Sequence, residues 1–372
     1  MRRRTLAVPL MTATVAMLAV APPGVAAEPT AASDPASRSP SPGGRIVAAV
    51  DREVTFRIEG TTTYGTVHVP PHRPGERLPA ALLLPGSGPT DRDGDQPGLT
   101  PGTLADLAEH LGRRRVLTLR FDKYGSGRTG PGAYAGRLAD LDYPAFVRQA
   151  RAALRLLARQ PEADPRSLVV AGHSEGAMTA LELAAHPRTA GSGPLPRISG
   201  VALLQPQAQR LLDVLAAQIH DQIAEAARAG AITPEQQAVV DAAVDTAVID
   251  FRERRPIDTS AMPPALVTLF QQLTGTNERF VRSDDEIDPA AVARRLRPGL
   301  PVLLTCGTED RNVPCASTDA LTAALRGAGT AGPGRVVLPG VDHLLHPVGS
   351  AELSPDVDPA LASLFRAVQP GF

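Results

Sequence analysis

The sequence predicts an α/β chain: a mostly parallel eight-stranded sheet with helices on both faces and a large helical insertion. Three observations predict this. Short apolar runs alternate with longer amphipathic segments, the pattern of strands joined by crossover helices. From the third run on, the runs are continuously apolar, as strands covered on both faces must be. And about 95 residues separate the sixth run from the seventh, where a handful is usual.

The first residues stand apart from that fold. "MRRRTLAVPLMTATVAMLAVAPPGVAA" has a basic start, an apolar stretch, and Val25 and Ala27 at the −3 and −1 positions of a cleavage site. Residues 1–27 therefore read as a secretory signal, and the chain as secreted. Arg3-Arg4-Thr5-Leu6 resembles a twin-arginine signal, and a Sec signal reads equally well. The apolar stretch, broken by Pro9 and ended by Pro22, is too short for a stable membrane span. Residues 28–45, rich in Pro, Ser and Ala, read as a disordered spacer. Removing the signal takes three arginines and no acid from a formal charge of −1, leaving −4. No basic footprint for nucleic acid survives. Aromatic residues make up 3% of the 372, with no Trp, which argues against a stacking wall for bases or sugars.

The core's first part is expected over residues 46–206. Its runs are "EVTFRI" (53–58), "TYGTVHV" (63–69), "PAALLLP" (79–85), "VLTLRF" (116–121), "SLVVAG" (167–172) and "GVALLQ" (200–205). The first two alternate and should form an antiparallel edge. Leu104, Leu107, Ala108 and Leu111 mark one helix. Phe146, Val147, Ala150, Leu154 and Leu157 mark a second, and a third should begin just after Ser174.

Residues 207–297 read as a helical cap. Ala208, Leu211, Leu212, Leu215, Ile219 and Ile223 form one stripe. Thr233-Pro234-Glu235-Gln236 is a capping box with proline at the first helical position, opening a second. Leu266, Leu269, Phe270 and Leu273 mark a third, and Asp288-Pro289 starts a fourth. The core resumes over residues 298–372 with "PVLLTC" (301–306), "RVVLP" (335–339) and a final helix from Asp358 to Val368. Cys306 and Cys315, in an exported chain, predict a disulfide.

Chemistry enters at "VVAGHSEGAMTALELAAH". Gly172-His173-Ser174-Glu175-Gly176 lies between an apolar strand and a helix. A serine hydroxyl is a weak nucleophile and must stand clear where a base can reach it. A tight strand-to-helix turn flanked by glycines does this. A base and an orienting acid are then required, following the serine in the order acid, histidine. His343, in a loop after "RVVLP", is the expected base; His220 falls in a cap helix and His346 before Pro347. "TCGTEDRNVPC" offers Glu309 and Asp310 for the acid, and Asp310 is chosen. Such a set needs no cofactor and no metal.

"LLLPGSGPTDRDGDQ", after the third run, admits three readings. A phosphate loop fails because no lysine follows its glycines. A calcium loop fits Asp91, Asp93 and Asp95, but Gln96 stands where glycine is needed and Gly102 where glutamate is. The third reading, an oxyanion loop, fits the place after a central strand. The backbone N–H groups of Ser87 and Glu175 are the expected donors.

With these residues together, the chain resembles an α/β-hydrolase over about residues 50–370. "PGSGPTDRDGD", "RFDKYGSGRTG", "GHSEGA" and "LPGVDHLL" are similar to the bacterial serine esterase and peptidase-like group of that superfamily. Pro85 departs from that group's histidine before Gly86, and Tyr124 from its arginine after Lys123. The resemblance implies that Asp91, Arg92, Asp93, Asp122 and Lys123 form ion pairs that brace the site's loops. It implies a carboxylesterase acting on a small acyl substrate. An aminopeptidase is the alternative, with Asp250 or Glu253 of the cap to hold a free amine. An acyltransferase or lactone hydrolase, and a non-catalytic binding module, are further readings. The cap arginines, Arg252, Arg254, Arg255, Arg294, Arg295 and Arg297, would face an anionic substrate or form a solvated face. Oligomeric state is not legible in the sequence.

Overall fold

The computed structural model describes residues 46–188 and 193–369. The signal (1–27) and spacer (28–45) expected from the sequence lie outside the described residues. Eight strands form one sheet: β1 (Val50–Ile58), β2 (Thr61–Val69), β3 (Leu78–Leu84), β4 (Leu117–Phe121), β5 (Ala163–His173), β6 (Gly200–Leu204), β7 (Pro301–Gly307) and β8 (Ala331–Leu338). Their order is β1-β2-β4-β3-β5-β6-β7-β8. The first two pair antiparallel, as their alternation predicts, and β2 also meets β4 antiparallel. Every later pairing is parallel.

The parallel strands β3, β5, β6 and β7 are buried almost throughout because helices cover both faces. One face packs on α2 (Tyr143–Ala158), α3 (Glu175–Ala185) and α9 (Asp319–Gly327), through Leu82, Leu154, Val170, Leu181 and Leu321. The other packs on α1 (Thr103–Arg113) and α10 (Val357–Val368), through Leu83, Leu107, Leu111, Leu361 and Phe365. One expectation fails at β8. "RVVLP" reads as a doubly covered strand, yet β8 is the sheet's edge and most of its residues are solvent-accessible, Val337 being 48% exposed. An apolar run reports strand propensity, not position in the sheet.

The segment between β6 and β7 folds as α4 (Leu211–Arg228), α5 (Pro234–Arg252), α6 (Pro264–Thr274), α7 (Glu278–Asp285) and α8 (Pro289–Ala293). The capping box forms: the Thr233 hydroxyl accepts from Gln236 N–H, and the Gln236 side chain accepts from Thr233 N–H. Helices α4 to α7 share an apolar core of their own, including Leu212, Ile219, Val244, Phe251, Phe270 and Val281. Helix α8 packs instead in the core of the sheet, through Ala290, Val292 and Ala293. The sequence pattern did not anticipate α7. Its inward face is Val281, Asp284 and Asp285, and buried acids leave no apolar stripe to read. Among the described residues no helix is long and apolar enough to cross a membrane.

Cys306, at the end of β7, is disulfide-bonded to Cys315, with Cα atoms 5.1 Å apart. The bridge closes the loop that carries Asp310. Replacing both cysteines by alanine is expected to lower unfolding free energy by about 2–3 kcal/mol, the chain-entropy value for so short a loop. Urea unfolding of the two proteins measures this, and equal midpoints would contradict it.

Candidate active site

Ser174 sits between the last residue of β5 and the first of α3, with φ 54 and ψ −120. This is a left-handed conformation that costs a non-glycine residue energy and lifts its side chain clear of strand and helix. Neighbours hold it on both sides. Ser174 N–H donates to Leu204 O at the end of β6, and Ser174 O accepts from Gln207 N–H.

His343 lies in the loop after β8. Its Nε2 is 3.1 Å from Ser174 Oγ, and its Nδ1 is 2.9 Å from Asp310 Oδ2. A carboxylate can only accept, so Nδ1 carries the proton and Nε2 is left as the acceptor for the serine hydroxyl. The loop is tied by Asp342, whose Oδ1 accepts from Leu344 and His346 N–H, while Asp342 N–H donates to His346 O. Asp310 is 3% exposed, and its second oxygen accepts from Asn312 and Val313 N–H. Glu309, the other acid of that loop, is exposed. The structure thus brings Ser174, His343 and Asp310 into one hydrogen-bonded line.

The two expected oxyanion donors adjoin that line. Glu175 is the first residue of α3, where the helix offers its N–H no partner. Ser87 lines a cavity of about 350 Å³ together with Gly86, Ser174 and His343. Leu99, Pro101, Leu104 and Leu344 supply apolar walls, and Glu309, Arg311 and Asn312 a polar side.

The loop from Ser87 to Gly102 is held by its own acids. Asp91 Oδ1 accepts from Asp93 and Asp95 N–H, and Asp95 Oδ1 accepts from Gly102 N–H. Asp91 is therefore a backbone tie, where an ion pair was expected. Burial raises its pKa above the ordinary carboxylate value. Asp93 does pair, with Arg120. Arg92 is 7% exposed and grips Asp122 with two nitrogens, at 3.0 and 2.9 Å. Lys123 pairs with Glu175.

Most of the insertion's charges singled out in the sequence are committed elsewhere, while Arg254 is exposed. Arg252 binds Asp285 and Asp213, and Asp250 and Glu253 both pair with Arg255. Arg294 pairs with Asp288, Arg295 meets His186, and Arg297 donates to Ile198 O. His220 is held between Asp241 and Asp245.

Sequence reasoning missed His173. It is 8% exposed, its Nε2 bonds His343 O at 2.7 Å, and its ring lies 4.9 Å from the His343 ring. It thus fixes the backbone of the residue that faces Ser174. Its place immediately before Ser174, at a strand end, was the available signal. Burial first, and then the neighbouring His343, push its pKa down to about 4 from 6.5. The folded chain therefore resists a proton that the unfolded chain takes up below 6.5. Stability is whole above that pH and declines as pH falls toward 4. His173→Gln, which keeps a donor but does not titrate, is expected to flatten the decline by up to about 3 kcal/mol. Unfolding free energies measured from pH 4 to 7 check this; parallel curves for both proteins would refute it.

Comparison with known proteins agrees with this architecture. Among solved structures, an esterase of Pyrococcus furiosus, Pf2001, superposes with a TM-score of 0.54 at 14% identity, covering 86% of this chain and 90% of that one. The esterase Est2 of Thermogutta terrifontis, with propionate bound, gives 0.53 at 18% identity, covering 87% and 95%. At such identities the likeness is one of fold. No curated protein matches the sequence. The model of the alpha/beta hydrolase family matches residues 81–353, most of the chain and all of the loops described above. The chain belongs to the alpha/beta hydrolase family.

Proposed function

We propose that this hydrolase is a secreted serine esterase that cleaves carboxylic esters through an acyl-enzyme on Ser174. The observation that carries the reading is the line Ser174 Oγ–His343 Nε2, His343 Nδ1–Asp310 Oδ2, at 3.1 and 2.9 Å, opening on an apolar-walled cavity. Ser174 Oγ attacks the acyl carbonyl while its proton passes to His343 Nε2. Asp310 holds the imidazolium that forms. The N–H groups of Ser87 and Glu175 receive the oxyanion. The leaving alcohol takes the proton back from Nε2, and water repeats the two steps to release the acid.

The size of the cavity, about 350 Å³, lies at the small end of ligand pockets and favours small to medium acyl groups. The pairing of Asp250 and Glu253 with Arg255 weakens the aminopeptidase reading, which needs a carboxylate free to hold an amine. Residues 207–297 are read as a cap whose helix α4 borders the acid's loop. Gln218 Nε2 donates to Asn312 O at 2.8 Å there. Export rests on the signal-like residues 1–27, and the closed disulfide suits an oxidising compartment.

A fluorophosphonate probe is expected to label the folded wild type and not Ser174→Ala; an unlabelled wild type would end the serine hydrolase reading. Nitrophenyl esters should turn over and aminoacyl anilides should not, and the reverse preference would favour a peptidase. Asp310→Asn should lower kcat by about 10⁴, as loss of the orienting acid does in the serine-protease triad. An unchanged kcat would remove Asp310 from the mechanism.

A further inference from the structure

We propose that Lys123 is a positioning residue that aims the oxyanion hole, holding the Gly86–Ser87 peptide and Glu175 in register through one buried ammonium. The inference rests on the esterase reading above and goes beyond ion pairing, because it assigns Lys123 an effect on the transition state.

The strand order makes the contact possible. In the sheet β3 lies between β4 and β5, and the three are parallel. Their ends release Lys123, Gly86 and Ser174-Glu175 side by side. Lys123 Nζ donates to Gly86 O at 2.5 Å and lies 3.3 Å from Glu175 Oε1. Lys123 is 4% exposed and Glu175 3%. The ammonium also sits over the Phe146 ring, 5.0 Å from its centroid.

Peptide planarity converts the first contact into direction. In a trans peptide the carbonyl and the following N–H point to opposite sides. An ammonium on Gly86 O therefore turns Ser87 N–H away from Lys123. Gly86 itself lies against the nucleophile: a methyl group there would sit 3.3 Å from Ser174 Cβ. The second contact ties the side chain of Glu175, whose backbone N–H is the other donor. One cation thus fixes the spacing between two donors on separate loops.

The choice of side chain is a further observation. Lys123 is the single lysine among 38 basic residues. A compact ammonium can approach a carbonyl and a carboxylate in a closed space. A guanidinium is a wide planar fork and cannot replace it without shifting the loop. Asp284, fully buried on α7, reaches the same cluster from the insertion through Gln207, whose own N–H holds Ser174 O. Burial first, then the charge of Glu175, raises the Asp284 pKa well above the carboxylate range.

The test compares wild type, Lys123→Arg and the double variant Lys123→Met/Glu175→Gln with nitrophenyl butyrate and a trifluoromethyl ketone. Arginine keeps the charge and would serve a merely structural ion pair. The double variant removes both charges of the buried pair together, so neither is left without the other. Both variants are expected to melt cooperatively and to lose kcat by about 10²–10³ with KM within about threefold. The ketone, which forms an oxyanion on the serine, should weaken by the same factor. Wild-type kcat in either folded variant, or a loss confined to KM, overturns the proposal while leaving the esterase intact. A wild type that hydrolyses no ester overturns both.

Discussion

Strand β5 and helix α3 approach so closely that Gly172 and Gly176 have no room for a side chain. A methyl group on Gly172 would lie 2.0 Å from Gly176 O, and one on Gly176 2.3 Å from Leu84 O. Both obstacles are backbone and cannot rotate aside. The contact therefore fixes three things together. It forces Ser174 into its left-handed turn, places the first N–H of α3 beside the serine hydroxyl, and packs the end of β3 against the same turn. The Gly86 loop leaves from that end of β3. The rest of the site is built outward from this approach, with Leu204, Gln207 and His173 as its supports.

How much was legible follows from where each residue sits. Ser174, Asp310 and His343 lie just past apolar runs, so periodicity and chain order pointed to them before any coordinates did. The structure places the three within hydrogen-bond reach of one another. Cys306 and Cys315 were legible because two nearby cysteines leave few alternatives. What stayed hidden depends on strand order. Lys123 follows β4 and Gly86 follows β3, and no sequence pattern tells that β3 lies between β4 and β5, which sets the Gly86 loop beside both Lys123 and Glu175. Helix α7 stayed hidden for another reason, since its buried face is two-thirds aspartate. Asp91 looked like an ion-pair partner because its neighbours are charged, but a short acid in a turn is as well suited to its own backbone.

Part of this molecule's charge is used inward. Arg92 and Asp122, Lys123 and Glu175, and Arg252 with Asp285 are pairs in which at least one member is buried. The first ties the Ser87–Gly102 loop to the end of β4, the second ties the loop after β4 to α3, and the third joins α5 to α7 within the insertion. Such pairs add little stability over an apolar filling, yet losing one partner strands a charge in a low dielectric. They define geometry more than they add free energy.

The exposed edge at β8 bears on the life of the chain in a crowded solution. An open strand edge with an apolar face invites a second copy to add its own strand. Here the invitation is withdrawn within the strand itself. Gly332-Pro333-Gly334 occupies its first half, and the register with β7 shifts between Pro301 and Leu303. Pro333 has no N–H to offer a new neighbour. Arg335, next along, is turned back onto Asp319. The only stretch left to template an added strand is Val336 to Leu338, too short to seed a fibril. The half-exposed Val337 can therefore persist at the margin of the sheet without recruiting other molecules to it.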